Sequence, residues 1–154
     1  MDAQHANLLI EIVNGKARTE PVHVLPLPSG SFRILHSPGF VQGVAAGDEI
    51  AFEGGDGGFQ VLSRGGNLAV QLFASDDITP QLSELSELAT GLGGCLDGNI
   101  SRGAVLTVPV TATFPVIEAA LNAFVARHPG HEWFYGNVYS PADGVTPLRW
   151  WEHA

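Results

Sequence analysis

The order of the elements predicted over residues 67–139 constrains the fold of this chain more than any other feature. Apolar alternation and helical spacing predict a strand at 67–74, a helix that begins near Thr79 and Pro80, strands at 95–100 and 104–110, a helix that begins near 113–115, and a strand at 131–139. This β-α-β-β-α-β order predicts a four-stranded antiparallel sheet with both helices on one face, the ferredoxin-like arrangement. Because that arrangement hosts many unrelated activities, it leaves the function open.

The first 65 residues are predicted to form a separate unit of short strands. Five strand-forming segments are separated by turns rich in glycine and proline, and the first turn is Asn14-Gly15. Such a pattern favours a small barrel or a rolled sheet. The predicted fold class is therefore α+β, with a small β-barrel at residues 1–65, a ferredoxin-like subdomain at residues 66–139 and a tail at residues 140–154. We expect the tail to pack against the body, because it carries Trp150 and Trp151.

Composition predicts a folded protein that does not bind nucleic acid. The sequence is 45% hydrophobic and 15% charged, which excludes a disordered chain. Its formal net charge is −9 and its seven basic residues are scattered, whereas phosphate binding needs clustered Lys and Arg. A basic protein partner is more compatible with this charge, although acidity also serves solubility.

The location predicted from the sequence is cytoplasmic, without membrane binding. No apolar run reaches the ~20 residues of a membrane span, and the N-terminus lacks the pattern of a secretory signal. The single cysteine, Cys95, has no other cysteine in the chain with which to form a disulfide, as is usual in a reducing compartment.

No catalytic residue, cofactor or metal site is predicted. The six histidines show no ligand spacing, and one cysteine is too few for a thiolate-rich zinc site. The glycine-rich runs lack the other residues of phosphate and dinucleotide loops, so they are interpreted as turns. A non-enzymatic protein is therefore expected more than an enzyme.

The candidate binding surface is the sheet face that the helices are predicted to leave uncovered. Alternation along the last strand assigns Phe134 and Val138 to the helix side, and it assigns Trp133, Tyr135 and Asn137 to the other side. The remaining candidates on the uncovered face are Asn67, Cys95, Asp97 and Asn99. An exposed aromatic face of this kind is typical of a contact site. The alternative is that the N-terminal unit, the tail or a second copy of the chain covers it.

Arg64 is the candidate at the junction of the two predicted units. It directly precedes Gly65-Gly66, and clefts tend to form where units meet. Its guanidinium could bind a carboxylate or a phosphate through two hydrogen bonds. The alternative is an interdomain salt bridge.

Three stretches resemble a known bacterial family: residues 32–40 (FRILHSPGF), residues 43–50 (GVAAGDEI) and residues 61–67 (VLSRGGN). Together they are similar to the family DUF4265, a domain of unknown function, and the likeness extends over most of the chain. The resemblance implies a bacterial protein of two parts. It implies no activity, cofactor or catalytic residue.

The sequence and the resemblance together favour a bacterial protein that acts as a non-enzymatic binding or regulatory module through the uncovered face and the junction. Neutralisation of a basic protein partner is one form of this hypothesis, and self-association through the sheet is another. The alternative is an enzyme of unrecognised type, which would use Arg64, Cys95, Asp97 and a histidine in a cleft between the two units.

Overall fold

The N-terminal half of the chain is a five-stranded antiparallel sheet. A computed structural model describes residues 2–153. The strands are β1 (Gln4–Val13), β2 (Lys16–Pro26), β3 (Phe32–Ile34), β4 (Glu49–Glu53) and β5 (Gly58–Ser63), in the order β1-β2-β3-β4-β5. Asn14 and Gly15 have φ angles of 52° and 75°, which suit the tight turn of the β1-β2 hairpin.

The N-terminal sheet is open, so the predicted barrel is not confirmed. A barrel requires pairing between its first and last strands, and the ladders of the described residues do not join β1 to β5. The two edges meet where Leu9 N–H donates to Gly57 C=O at 2.8 Å. This contact lies in the turn before β5 and not along the strand.

The C-terminal half contains two helices and a four-stranded antiparallel sheet. Its elements are β6 (Asn67–Ala74), α1 (Leu82–Gly91), β7 (Cys95–Ile100), β8 (Gly103–Pro109), α2 (Phe114–Arg127) and β9 (His131–Tyr135). The strand order is β7-β8-β6-β9. Both helices pack on one sheet face, where Leu85 and Phe124 meet Leu68 and Leu106 in a buried cluster. Among residues 2–153, no helix combines the length and the apolarity that a membrane crossing requires.

Trp133 and Tyr135 face the helices, so their predicted orientation was wrong. The indole N–H of Trp133 donates to Asn122 Oδ1 at 2.9 Å, and the Tyr135 hydroxyl donates to Glu118 Oε2 at 3.0 Å. Both acceptors belong to α2. The two rings pack against the core between the helices and the sheet, and neither lies on the opposite face.

The orientation differs because the alternation of side chains is interrupted after β9. The prediction ran one alternating strand through residue 139 and took Val138 as a marker of the helix side. The strand ends at Tyr135, and Gly136 and Asn137 follow as an irregular step. Val138 does reach the helix side, but Phe134 lies on the other face. A one-residue change in phase reverses every side chain of a strand.

The C-terminal segment packs back onto this half of the chain. The indole N–H of Trp150 donates to Asn137 C=O at 2.9 Å. The Trp151 ring meets Phe114 edge to face, with ring centroids 5.2 Å apart. Both indoles contact the core that the helices cover.

Candidate functional site

The sheet face opposite the helices is largely covered by the loop between β3 and β4, residues 35–48. Gln71, in the middle of that face, is buried, and its side-chain N–H groups donate to Pro38 C=O at 3.1 Å and to Val41 C=O at 3.0 Å. Gln42 donates in turn to Gln71 Oε1 at 2.6 Å. The N-terminal half therefore covers this face, which was the alternative to an open surface.

Asp97 joins the two halves at one side of the covered face. Its carboxylate accepts hydrogen bonds from Ser37 N–H at 2.8 Å, from the Thr107 hydroxyl, and from the Cys95 thiol at 3.2 Å. His36 Nδ1 lies 3.5 Å from Oδ1. The side chain of Asp97 is only 4% exposed, so the carboxylate is a buried acceptor held by several donors.

The environment of Cys95 does not suit a nucleophile. Burial, followed by the hydrogen bond and negative charge of Asp97, raises the pKa of the Cys95 thiol to about 11. The thiolate is the reactive form of cysteine, and it is scarce at neutral pH when the pKa is this high. The side chain that would serve as an orienting group in the enzymatic alternative thus suppresses the reactivity of the thiol.

Arg64 lies apart from Cys95, at the point where the chain passes between the halves. Its Nη1 donates to Gly43 C=O at 2.8 Å and to Asp48 Oδ2 at 3.2 Å. Asp48 also accepts the N–H groups of Ala45 and Gly65. Burial raises the pKa of Asp48, while these N–H groups and Arg64 act against the shift. The salt bridge is therefore internal to the N-terminal half.

The side chains of Asn67 and Asn137 make internal hydrogen bonds near the point where the two halves meet. Asn137 is fully buried, accepts Ala69 N–H at 2.9 Å and donates to Asn67 C=O at 2.8 Å. Asn67 donates its own side-chain N–H to Ala46 C=O at 2.8 Å. The Asn67 amide thus links the two halves, and the Asn137 amide links the segment after β9 to β6.

A cavity remains where the loop and the sheet do not meet, and it is called the junction cavity below. Its volume is about 200 Å³, and its walls include Glu20, His23, His36, Phe40, Phe73 and Ile100. Asp97 and the exposed Asn99 also line it, whereas Arg64 and Cys95 do not. Among the described residues of its lining, none is Lys or Arg.

Three phenylalanine rings beside this cavity form a continuous line, the aromatic row: Phe40, Phe73 and Phe134. The ring centroids of Phe40 and Phe73 are 6.0 Å apart, and those of Phe73 and Phe134 are also 6.0 Å apart. Phe40 is 42% exposed and Phe134 is 51% exposed. Sequence reasoning missed Phe40, which lies in a loop without periodicity, and placed Phe134 on the wrong face. If the alternation of side chains is interrupted at Gly136, Phe134 is assigned to the sheet face opposite the helices.

Three histidines line up on the outer surface of the N-terminal sheet. The ring centroids of His5 and His23 are 4.1 Å apart, and those of His23 and His36 are 5.1 Å apart. Burial, together with the nearby His5 and His36, lowers the pKa of His23. Within residues 2–153, no group of three or more His, Cys, Asp and Glu side chains is arranged to hold a metal ion.

Comparison with known proteins identifies the family of the chain. The family model of the domain of unknown function DUF4265 matches residues 20–146. The chain belongs to the DUF4265 family. This match confirms the resemblance seen in the three sequence stretches, all of which lie inside the matched region.

A crystal structure of a hypothetical protein from Neisseria gonorrhoeae is similar in fold to this DUF4265 protein. The TM-score is 0.68 at 15% sequence identity, and the alignment covers 88% of this chain and 95% of that chain. At this identity the similarity shows the fold alone. No protein of curated function matches the sequence significantly.

Proposed function

We propose that this DUF4265 protein is a non-enzymatic binding module whose site is the aromatic row together with the junction cavity. The aromatic row is the observation that carries the proposal. Its rings come from a loop and two strands, and the outer rings, Phe40 and Phe134, are 42% and 51% exposed. Phenylalanine is strongly favoured inside proteins, and contiguous exposed aromatic surface usually contacts another molecule.

The position of Phe40 is held by hydrogen bonds to its backbone. The carboxylate of Glu20 accepts the N–H groups of Gly39 at 2.8 Å, Phe40 at 2.9 Å and Val41 at 3.1 Å. The exposed ring therefore projects from a fixed backbone. Binding to such a surface loses little conformational entropy, which favours affinity.

The charge around the aromatic row favours a basic protein partner. Glu132 is exposed and pairs with Phe73 across β6 and β9, so it shares the face of the row. Glu20 lines the adjoining cavity, and the whole chain has a net charge of −9. An apolar side chain of the partner would pack on the rings while its Lys or Arg residues met this acidic surface. Neutralisation of a basic protein is the form of function that this chemistry supports.

The proposed site keeps part of the set of residues expected from the sequence. Asp97 and Asn99 line the junction cavity, so they stay in the proposal. Phe40, Phe73 and Phe134 take the place of Trp133 and Tyr135. The proposal gives Asn67 a role between the halves, Asn137 a role between β6 and the segment after β9, and Arg64 a salt bridge within the N-terminal half.

We also infer that residues 1–65, 66–139 and 140–154 are separate parts, and that the middle part is ferredoxin-like. Its element order is strand, helix, strand, strand, helix, strand, and its antiparallel strand order is β7-β8-β6-β9. Separate hydrophobic clusters in the two halves support the division.

A peptide titration followed by ¹⁵N-NMR tests the proposed site. The probe is a short lysine-rich peptide that contains phenylalanine, and the controls are the same peptide without phenylalanine and a version with glutamate in place of lysine. We expect the first peptide to shift the amide signals of Phe40, Phe73 and Phe134. Phe134→Ala should weaken its binding about tenfold, or about 1.4 kcal/mol.

The matched control variant is Phe52→Ala. Phe52 is also exposed, at 37%, but it packs against Phe32 in the N-terminal sheet. This variant should bind the peptide as the wild type does. Equal binding of the glutamate peptide, or amide shifts confined to other surfaces, would reject the site.

Self-association through β9 is a second candidate function. In the described sheet, β9 is an edge strand, and an edge offers unpaired backbone groups to another strand. Sedimentation velocity of the wild type and Phe134→Ala separates the two candidates. A dimer that Phe134→Ala dissociates would assign the aromatic row to contact between copies, whereas a monomer at high concentration favours a different partner.

A further inference from the structure

A second cavity, called the edge cavity here, separates β1 from β5 in the N-terminal half. Its volume is about 510 Å³, which is within the usual range for small-molecule sites. No strand of the described residues pairs with the free edge of β5. Most of its wall is apolar, with contributions from Leu9, Ile10, Phe59, Val61 and Leu148.

Arg64 lines the edge cavity and keeps one side of its guanidinium available. An arginine has five N–H donors. Nη1 donates to Gly43 C=O and Asp48 Oδ2, and the residues described, 2–153, supply no hydrogen-bond acceptor to Nε and Nη2. The paired N–H groups of one guanidinium edge match the two oxygens of a carboxylate.

The guanidinium is held in place before any ligand arrives. Its Cζ lies 5.7 Å from the ring centroid of Trp150, whose own N–H is bonded to Asn137 C=O. Asp48, on the other side, is 1% exposed and is anchored by backbone N–H groups. A ligand would therefore add to this arrangement at the unused edge and would not displace Asp48.

The acidic residue of the cavity is at its other end. Glu53 pairs with Gly58 at the start of β5, and the six-residue separation of Gly58 from Arg64 corresponds to about 20 Å of extended chain. The negative charge of Glu53 is thus remote from the guanidinium. Between the two ends, the wall presents the partly buried side chains of Phe59 and Val61.

We propose that the edge cavity binds a small amphipathic carboxylate, with its carboxylate on the Nε and Nη2 edge of Arg64 and its hydrocarbon part along Phe59 and Val61. This site is separate from the aromatic row, and it does not depend on the binding function proposed above. An apolar wall with one preorganised guanidinium selects ligands that carry a charged group at one end only.

Decanoate is the probe that tests this site, and decanol is its neutral counterpart. In ¹⁵N-NMR titrations we expect decanoate to shift the amide signals of Val61, Arg64 and Leu148, with decanol binding at least tenfold more weakly. Arg64→Lys keeps the charge but loses the paired donors. It should therefore weaken the binding of decanoate about tenfold and leave the binding of decanol unchanged. Arg33→Lys, on an exposed arginine of β3 outside the cavity, should behave as the wild type.

A cavity-filling variant keeps the test decisive if Arg64→Lys fails to fold. Ile10→Trp adds volume to the wall without touching the contacts of Arg64, and it should abolish decanoate binding while circular dichroism shows an unchanged fold. Equal affinity for decanol and decanoate, binding by Ile10→Trp at the wild-type level, or absence of decanoate binding to the wild type would each overturn the proposal.

Discussion

The backbone N–H of Ser37 donates to the carboxylate of Asp97 at 2.8 Å, and this bond joins a loop of the N-terminal half to an edge strand of the second sheet. The Ser37 hydroxyl is also 2.6 Å from the Thr107 hydroxyl, which itself donates to Asp97. Hydrogen bonds to a charged acceptor are stronger than neutral ones. One buried carboxylate therefore contributes directly to the contact between the halves, beside the Gln71 and Asn67 hydrogen bonds.

Asp97→Asn should lower the free energy of unfolding by about 1–3 kcal/mol, because one carboxylate oxygen becomes an amide donor that faces other donors. Urea denaturation followed by tryptophan fluorescence measures the change. Asp76→Asn is the matched control, since the exposed Asp76 accepts a hydrogen bond from the next backbone N–H. Equal stability of Asp97→Asn and Asp76→Asn would contradict a structural role for Asp97.

Cys95 should react slowly with iodoacetamide at pH 7–8, although its side chain is exposed. Burial and Asp97 raise the pKa of its thiol to about 11, so the rate should keep increasing up to that pH. Asp97→Asn removes the negative charge, lowers the pKa and speeds alkylation at pH 8. The rate profile against pH checks this prediction, and a midpoint at the ordinary thiol value of about 8.5 would refute it.

His23 should make the folded state less stable in acid. Its pKa in the folded protein is lowered, so protonation of His23 is less favourable in the folded than in the unfolded chain. The contribution of neutral His23 to the free energy of unfolding is therefore fully present above the ordinary histidine pKa of about 6.5. It decreases as the pH falls through that value.

The thermal unfolding midpoints at pH 7.5 and pH 5.5 measure this effect. His23→Gln should reduce the decrease in the unfolding midpoint between the two pH values, because the central histidine of the three can then no longer become charged. His153→Gln is the control, since His153 lies in the C-terminal segment outside the row. The same decrease in His23→Gln and the wild type would show that the row has no part in acid sensitivity.

Local patterns in the sequence were enough to predict most elements of this fold. The strand at Asn67–Ala74 and the turn at Asn14-Gly15 depend on neighbouring residues, and both occur as expected. Closure of the N-terminal sheet depends on how its two edges meet. That property belongs to the whole sheet, and local pattern predicted a barrel where the structure has an open edge.

The candidate site was less predictable because it joins residues that are distant in sequence. Phe40 and Phe73 meet because the loop packs on the second sheet, and no periodicity signals that contact. His5 and His23 meet through the register of a hairpin, which spacing along the chain does not reveal. Sequence motifs were enough to indicate the family, whereas the contacts between the halves are visible only in the three-dimensional structure.

The side chains on the two faces of β9 should differ in how much they contribute to the free energy of unfolding. Tyr135 packs against the core, stacks edge to face on Phe114 at 5.5 Å and bonds Glu118, so Tyr135→Ala should lower the free energy of unfolding by about 2–4 kcal/mol. Phe134 is half exposed on the opposite face, so Phe134→Ala should cost less than about 1 kcal/mol. Urea denaturation of both variants measures the difference. The reverse order of stabilities would place Phe134 beneath the helices and Tyr135 on the outer face, and it would remove the basis for the aromatic row.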